Sequence, residues 1–226
     1  FRHAQGGAAS LMAGQVTSNS AEIAGHGNVS GSGLLASVTT TYNKAGDTTV
    51  ILLSQSAAIT KDQYAGGYLN VLGPAASTYI GYKYRIKSNL SCAVSAKATI
   101  VLEPTDPLKV DFKAGSTLCS LRKSPFKDQI VFDAGTIIAP PMGATPVAVS
   151  ISFYYWSQTR GPASLLQSAT VIVTGDAIYP AVSAAGSVTT VAATAATAAG
   201  WGGRVIGRAL GAAAASQAVL CYLTLE

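Results

Sequence analysis

The chain has 226 residues, of which 49% are apolar and only 11% are charged. Its net charge is +5, and its basic residues do not form a continuous run. Globular domains usually carry about a quarter charged residues, whereas disordered chains are charged and poor in apolar residues, so this composition argues against disorder. It predicts a sizeable core and a low-charge surface that is partly hidden in an assembly. No apolar run is long enough to predict a membrane-spanning helix.

Residues 1–36 are rich in glycine, alanine and serine and sustain no apolar period. They are predicted to form an extended N-terminal arm with little core of its own. Such arms order against a neighbouring subunit and add contact area there. Both histidines, His3 and His26, fall in this arm. Because a metal site needs convergent, pre-positioned ligands, ordinary surface histidines are expected rather than a metal site.

Short strand-like segments follow one another through the middle of the chain, separated by turn signals. They cover residues 38–54 as a hairpin, then 68–72, 78–87, 97–102, 108–112, 117–121 and 129–132. In the segment 78–87 the apolar side chains, including Tyr82 and Tyr84, alternate with Lys83 and Arg85, which is typical of a half-buried strand. Regularly spaced strands of this kind predict an antiparallel sandwich or barrel.

The longest apolar-aromatic run is AVSISFYYWSQTRGP, at residues 148–162. Alternation together with β-branched and aromatic residues predicts a central strand, buried on at least one face, that ends in a turn at Gly161 and Pro162. The Trp156 side chain is expected to point from this strand into the protein core, so that its removal would destabilise the fold. An exposed Trp156 would instead favour sugar binding.

The predicted organisation is an all-β protein with an N-terminal arm (1–36) and two β lobes (37–138 and 139–226), the two lobes being alternatively one continuous β domain. The proline-rich motif APPMG at 139–143 marks the boundary between the lobes. Residues 182–200 are of low complexity and are expected to form a loosely ordered surface loop. Two closing strands follow, at 204–209 and 217–225.

Motifs of catalysis are missing from the sequence: it has neither a nucleophile elbow nor a phosphate-binding loop, and its GxGxxA match at residues 31–36 follows no strand. No enzyme activity, no cofactor and no metal are therefore predicted. The three cysteines, Cys92, Cys119 and Cys221, form no CxxC motif. They are expected to be buried thiols of a protein folded in a reducing compartment, with a Cys92–Cys119 bridge as the alternative.

Two features of the surface leave alternatives open. Basic residues alternate at Lys83, Arg85 and Lys87 and cluster again around residues 122–127; a solvated surface is favoured over contact with an acidic partner or nucleic acid. Aromatic residues form the second feature, and core packing is their more common use, although they could line a sugar-binding face. These aromatic residues are Tyr79, Tyr82, Tyr84, Tyr154, Tyr155 and Trp156.

Three blocks of sequence carry a family resemblance. The first is GGYLNVL followed by GYKYRIKSN and LEPTDPLKV; the second is FYYWSQTRGPASLL leading into VIVTGDAIYP; the third is GRVIGRAL with VLCYLTLE. Through these blocks, which extend from about Tyr68 to the C-terminal end, the chain resembles virion structural proteins of tailed bacteriophages, of the head decoration or cement type.

The resemblance implies a β-rich homo-oligomer, commonly a trimer, that binds the major capsid protein on the outside of the capsid and is assembled in the host cytoplasm. Membrane and direct nucleic-acid contacts are not expected. The residues expected to serve structure or assembly are Trp156, Gln158, Gly161, Pro162, Tyr82 and Tyr84. The alternatives are a capsid subunit, a tail or fibre component, or a carbohydrate-binding adhesin.

Overall fold

The computed structural model of the chain describes residues 1–23, 25–27, 34–36, 43–53, 57–73, 81–114, 116–133, 139–168, 171–181, 184–190 and 205–225. These residues contain β-strands and no helix, which confirms the predicted all-β class. Accordingly, no helix that could cross a membrane is found in the described part of the chain. The chain divides into two compact units: unit 1 consists of Phe1–Ala21 and Pro125–Glu226, and unit 2 of Glu22–Ser124.

The strands are numbered in chain order. They are β1 (Arg2–Gln5), β2 (Val16–Ser18), β3 (Leu34–Ala36), β4 (Thr49–Leu53), β5 (Tyr68–Gly73), β6 (Lys83–Asn89), β7 (Lys97–Leu102), β8 (Leu118–Arg122), β9 (Ile130–Val131), β10 (Pro141–Ala144), β11 (Tyr154–Ser157), β12 (Arg160–Leu166), β13 (Ala177–Pro180), β14 (Val188–Thr190), β15 (Gly207–Ala209) and β16 (Ala218–Thr224).

Unit 2 is a closed antiparallel barrel with the strand order β3-β4-β7-β6-β5-β8. The period-two pattern of its strands explains the core, since every second side chain points inward. The buried residues at its centre include Val50, Leu52, Leu69, Tyr84, Ile86, Ile100, Leu102 and Leu121. Closure leaves the barrel without a free sheet edge.

The predicted strand at 108–112 is wrong, because this segment is irregular. Its backbone instead bonds to the turn before β4, where the Leu108 N–H donates to the Asp47 carbonyl at 2.9 Å and the Phe112 N–H to the Asn43 carbonyl at 2.8 Å. Leu108 and Phe112 are apolar because they pack into the barrel core. In the same turn Gly46 has φ +93°, as the predicted hairpin turn requires.

Unit 1 is built from three antiparallel sheets: β1-β11, β10-β2-β9 and the five-stranded sheet β12-β16-β15-β13-β14. Its larger core includes Val16, Phe132, Leu165, Ile172, Ile178, Val188, Ile206, Val219 and Leu223. A smaller core consists of Ala4, Leu11, Val149 and Tyr155. β16 shows the alternation most clearly, since Val219, Cys221 and Leu223 are buried while Leu220 and Tyr222 are exposed.

The structure replaces the predicted arm by paired strands over residues 1–21. β1 pairs with β11, β2 lies between β10 and β9, and Ala4, Leu11 and Val16 are buried. The chain therefore divides after Ala21 and after Ser124, not at residues 36 and 138. Strands of three or four residues carry too little apolar periodicity to be predicted. Of residues 22–36 the structure describes 22, 23, 25–27 and 34–36, and the last three form β3. Most of the predicted 182–200 loop lies outside the described residues, and its residues 188–190 form β14.

The predicted central strand at 148–162 is two strands. A turn at Ser152, with φ +62°, precedes β11, and Gly161 and Pro162 lie inside β12 opposite Leu223 and Tyr222, so the turn predicted there is wrong. Gly161 takes φ +88°, a conformation that favours glycine. Pro162 is tolerated because β12 is the edge strand of its sheet, where a missing N–H need not break a ladder.

Candidate functional site: an exposed aromatic platform

Three exposed rings lie together on the small β1-β11 sheet of unit 1, and we call His3, Tyr154 and Trp156 the aromatic platform. His3 is paired with Trp156 in the strand register. Its imidazole stacks on the Tyr154 ring, with centroids 5.1 Å apart and an interplanar angle of 7°, and meets the Trp156 ring edge-on at 5.5 Å and 68°. Tyr154 is 65% exposed and Trp156 is 61% exposed, so both rings face solvent.

The alternation of β11 places these rings outside and the ring between them inside. Tyr155 is only 7% exposed and packs in the small core with Ala4, Leu11 and Val149. Burial raises the pKa of the Tyr155 hydroxyl above its ordinary value, and this hydroxyl donates a hydrogen bond to the side-chain oxygen of Gln129. The buried Tyr155 therefore fixes which face of β11 is exposed.

Gln129 joins the strands that carry the platform. It is fully buried, and its side-chain oxygen also accepts a hydrogen bond from the Thr17 hydroxyl at 3.2 Å. Its backbone N–H donates to the Gln5 carbonyl and its carbonyl accepts from the Gly7 N–H, both at 2.8 Å. One glutamine thus connects the β1 segment, β2 and β11, which positions the platform without contributing to its exposed surface.

The structure places the predicted residues of this region in different roles. Trp156 is exposed, so its predicted core position is wrong: aromatic residues fill both sides of the run, but only one side of β11 is covered. Gln158 is buried, and its side-chain amide donates to the Pro162 carbonyl at 2.6 Å and to the Arg160 carbonyl at 3.3 Å. Gln158 and Gly161 therefore determine the backbone conformation where β11 leads into β12.

Tyr82 and Tyr84 belong to unit 2 and take no part in the platform. Tyr84 is fully buried in the barrel, where burial raises the pKa of its hydroxyl and the Lys109 N–H donates to that hydroxyl at 3.2 Å. Tyr82 packs partly buried against the same core, with its ring stacked on that of Tyr84 at 6.2 Å. Of the aromatic residues considered for a sugar-binding face, Tyr154 and Trp156 are therefore the exposed pair, and Tyr79 lies outside the described residues.

His26 is not the surface histidine that the sequence predicted. It is fully buried in unit 2, with Nδ1 2.6 Å from the Tyr64 hydroxyl and Nε2 2.8 Å from the Ala57 carbonyl oxygen. Because a carbonyl only accepts, Nε2 carries a hydrogen. Over the described ranges, no group of three or more His, Cys, Asp or Glu side chains could hold a metal ion.

All three cysteines are free thiols, so the alternative Cys92–Cys119 bridge is not formed in this structure. Burial raises the pKa of Cys119 and that of Cys221 to about 12, which keeps both thiols protonated at neutral pH. Cys92 is partly exposed and packs against the barrel core. The two buried thiols act as small apolar core groups.

Comparison of the chain with protein-family models, with curated proteins and with solved structures finds no match in any of the three.

Proposed function

We propose that this protein is a non-enzymatic virion structural protein that binds and stabilises a phage capsid shell as a decoration or cement protein. Its proposed partners are the major capsid protein and further copies of this chain. The observation that carries the proposal is the unequal distribution of exposed apolar side chains between the two units, since large exposed apolar surface marks sites of contact with other proteins.

Unit 1 carries most of the exposed apolar surface. Of the fifteen exposed large apolar side chains among the described residues, thirteen lie in unit 1, and only Leu90 and Val94 lie in unit 2. Unit 1 is the longer unit, yet it has nine charged residues against sixteen in unit 2. Those nine are Arg2, Lys127, Asp128, Asp133, Arg160, Asp176, Arg204, Arg208 and Glu226. The surface of unit 1 therefore fits burial in an assembly better than exposure to solvent.

A continuous part of this surface lies on the outer side of the five-stranded sheet. We call Pro162, Leu210, Leu220 and Tyr222 the apolar sheet face. Tyr222 is paired with Pro162 on β12, and the Leu210 N–H donates to the Leu220 carbonyl at 2.8 Å, so the four residues are neighbours across adjacent strands. All four are exposed. An apolar centre with polar residues around it is the usual composition of a protein–protein contact.

Several buried tyrosines and cysteines form part of the cores of the two units. Tyr84, Tyr155, Cys119 and Cys221 have a pKa raised by burial. Each lies in a core cluster of its unit. These side chains are neutral at neutral pH with their ordinary pKa values, and burial disfavours their charged forms further, which suits packing. This agrees with the proposal that the protein acts by binding other proteins through its surfaces.

Substitution of the apolar sheet face tests the proposal. In L220K/Y222K two lysines replace apolar contacts, and we expect binding to undecorated heads of its phage to weaken by about tenfold or more, because desolvating each ammonium is costly. Binding is measured by co-sedimentation, with the oligomeric state of each variant determined by analytical ultracentrifugation.

The matched control is L90K/V94K, which makes the same kind of change at exposed apolar residues of unit 2. We expect its binding to heads to equal that of the unchanged protein. Equal weakening of both variants, or unchanged binding of L220K/Y222K, would contradict a role of the apolar sheet face in shell binding.

The aromatic platform favours a second candidate function, carbohydrate binding. The Tyr154 and Trp156 rings are more than half exposed, and the negative face of such a ring can stack on the C–H groups of the apolar face of a sugar. The adjacent His3 offers ring nitrogens for hydrogen bonds to the sugar. In this case the protein would be retained on a glycan array, and Trp156→Ala would abolish retention while Val171→Ala, at another exposed apolar residue, would not. Absence of retention on all glycans would exclude this function.

A further inference from the structure

We infer that the outer face of β5, β6 and β8 in unit 2 binds an acidic protein surface. The residues that define this basic face are Tyr68, Lys83, Arg85, Lys87 and Arg122. Their basic members come from two clusters that are far apart in the sequence, on β6 and at the end of β8. The barrel register brings the clusters together, because Tyr68 on β5 is paired with Arg85 on one side and with Arg122 on the other.

The geometry of the face is fixed by contacts around Tyr68 and Arg122. Lys83 Nζ lies 5.0 Å from the centroid of the Tyr68 ring, a cation–π contact. Arg122 Nη2 lies 2.7 Å from Glu22 Oε2, and the Glu22 side chain is only 11% exposed whereas that of Arg122 is 49% exposed. The Glu22 carboxylate therefore fixes the position of the Arg122 guanidinium, and the exposed part of this guanidinium remains accessible to a partner.

Cations outnumber carboxylates on and around the basic face. Asp106 accepts a hydrogen bond from the Arg85 N–H at 3.0 Å and lies 3.7 Å from Lys109 Nζ, and the Glu103 N–H donates to the Arg85 carbonyl. Together with Glu22, these carboxylates are three, against five cations: Lys83, Arg85, Lys87, Lys109 and Arg122. Unit 2 as a whole has ten basic and six acidic residues, so four of the five net positive charges belong to it.

The chemistry of the face favours carboxylates of a protein over nucleic acid. Binding of single strands relies on open aromatic rings for base stacking, whereas one side of the Tyr68 ring is covered by Lys83, Tyr82 is partly buried and Tyr84 is fully buried. Forked guanidiniums and mobile ammonium groups on the basic face match an acidic protein face, which they steer into register.

The inference is tested with fluorescently labelled poly-L-glutamate as the probe and oligo-dT of matched charge as the comparison, both followed by anisotropy at several salt concentrations. The variant is K83E/R85E, which leaves Arg122 in place so that the covered Glu22 carboxylate keeps its partner. The control is K97E/K113E, which lowers the net charge equally at exposed lysines outside β5, β6 and β8. Near-UV circular dichroism verifies that each variant folds. If K83E/R85E fails to fold, K83Q/R85Q is used in its place.

We expect poly-L-glutamate to bind with an affinity that falls as salt rises. We expect K83E/R85E to weaken this binding by about tenfold or more, and K97E/K113E by about twofold at most. Absence of binding, or equal weakening by both variants, would overturn the inference, since the effect would then follow net charge alone. Tighter, face-dependent binding of oligo-dT would overturn it in favour of nucleic acid. Because no capsid enters this experiment, its failure is distinguishable from failure of shell binding.

Discussion

Replacement of Tyr155 by alanine is expected to lower the free energy of unfolding by about 3–5 kcal/mol, the range for removal of a large buried aromatic side chain. The ring fills the small core of unit 1, and its hydroxyl donates to the buried Gln129 side chain. The substitution therefore opens a cavity and also removes a hydrogen-bond partner inside the protein. Urea denaturation followed by circular dichroism measures the loss.

The neighbouring Trp156→Ala variant is the matched control, because it removes a larger ring from the exposed side of the same strand. Its loss is expected to be about 1 kcal/mol or less, limited to the edge-on contact with His3. If Trp156→Ala destabilised the protein as much as Tyr155→Ala, Trp156 would have to be buried and the aromatic platform would not exist as described.

Replacement of Tyr84 by alanine is expected to cost a similar amount, about 3–5 kcal/mol, in unit 2. Tyr84 is fully buried, and its ring contacts those of Tyr82 and Phe112, with centroids 6.2 Å away in each case. Removing it takes away one of the largest side chains of the barrel core. Thermal and urea unfolding of the purified variant measure the effect.

Tyr84→Phe separates the ring from its hydroxyl. It keeps the packing and removes only the acceptor of the Lys109 N–H, so we expect a loss of about 0.5–1.5 kcal/mol. A Tyr84→Ala variant no less stable than Tyr84→Phe would show that the ring does not fill the barrel.

The fold class could be predicted from the sequence because long, one-sided strands carry a clear period. β6, β7 and β16 alternate between buried and more exposed residues; β7 and β16 lie within segments predicted as strands, and β6 overlaps the predicted segment 78–87 and extends two residues beyond it. The pairing of β1 with β11 could not be predicted, since β1 has four residues and its partner is more than a hundred positions away. Closure of the barrel depends on registers between distant strands and leaves no local signal.

The candidate site shows the same limit. Alternation along β11 places Tyr154 and Trp156 on one side, but it does not say which side is covered, and in a run with aromatic residues on both sides either choice is consistent with the pattern. The sequence predicts His3 in an extended arm with little core of its own, and it gives no sign of the pairing that places His3 beside these rings. The one available signal was that Tyr154 and Trp156 lie two residues apart in a strand-like segment, which brings them to a common face.

The basic face illustrates what the register adds. The sequence has alternating cations at Lys83, Arg85 and Lys87 and a separate cluster near residue 122, and by itself it favours a solvated surface for both. Pairing of β5 with β6 and with β8 brings the two clusters to opposite sides of Tyr68. A charge pattern that is weak along the chain becomes concentrated on the barrel surface, which is why binding of an acidic partner is proposed from the structure.

The proposal of shell binding is tested most directly by co-sedimentation of the purified protein with undecorated heads of its phage, beside an unrelated shell of similar size. We predict saturable pelleting with its own heads, absence of pelleting with the unrelated shell, and loss of pelleting for L220K/Y222K but not for L90K/V94K. A protein that stays in the supernatant with its own heads, as a folded and monodisperse species, would contradict the proposal and direct attention to the aromatic platform as a sugar-binding site.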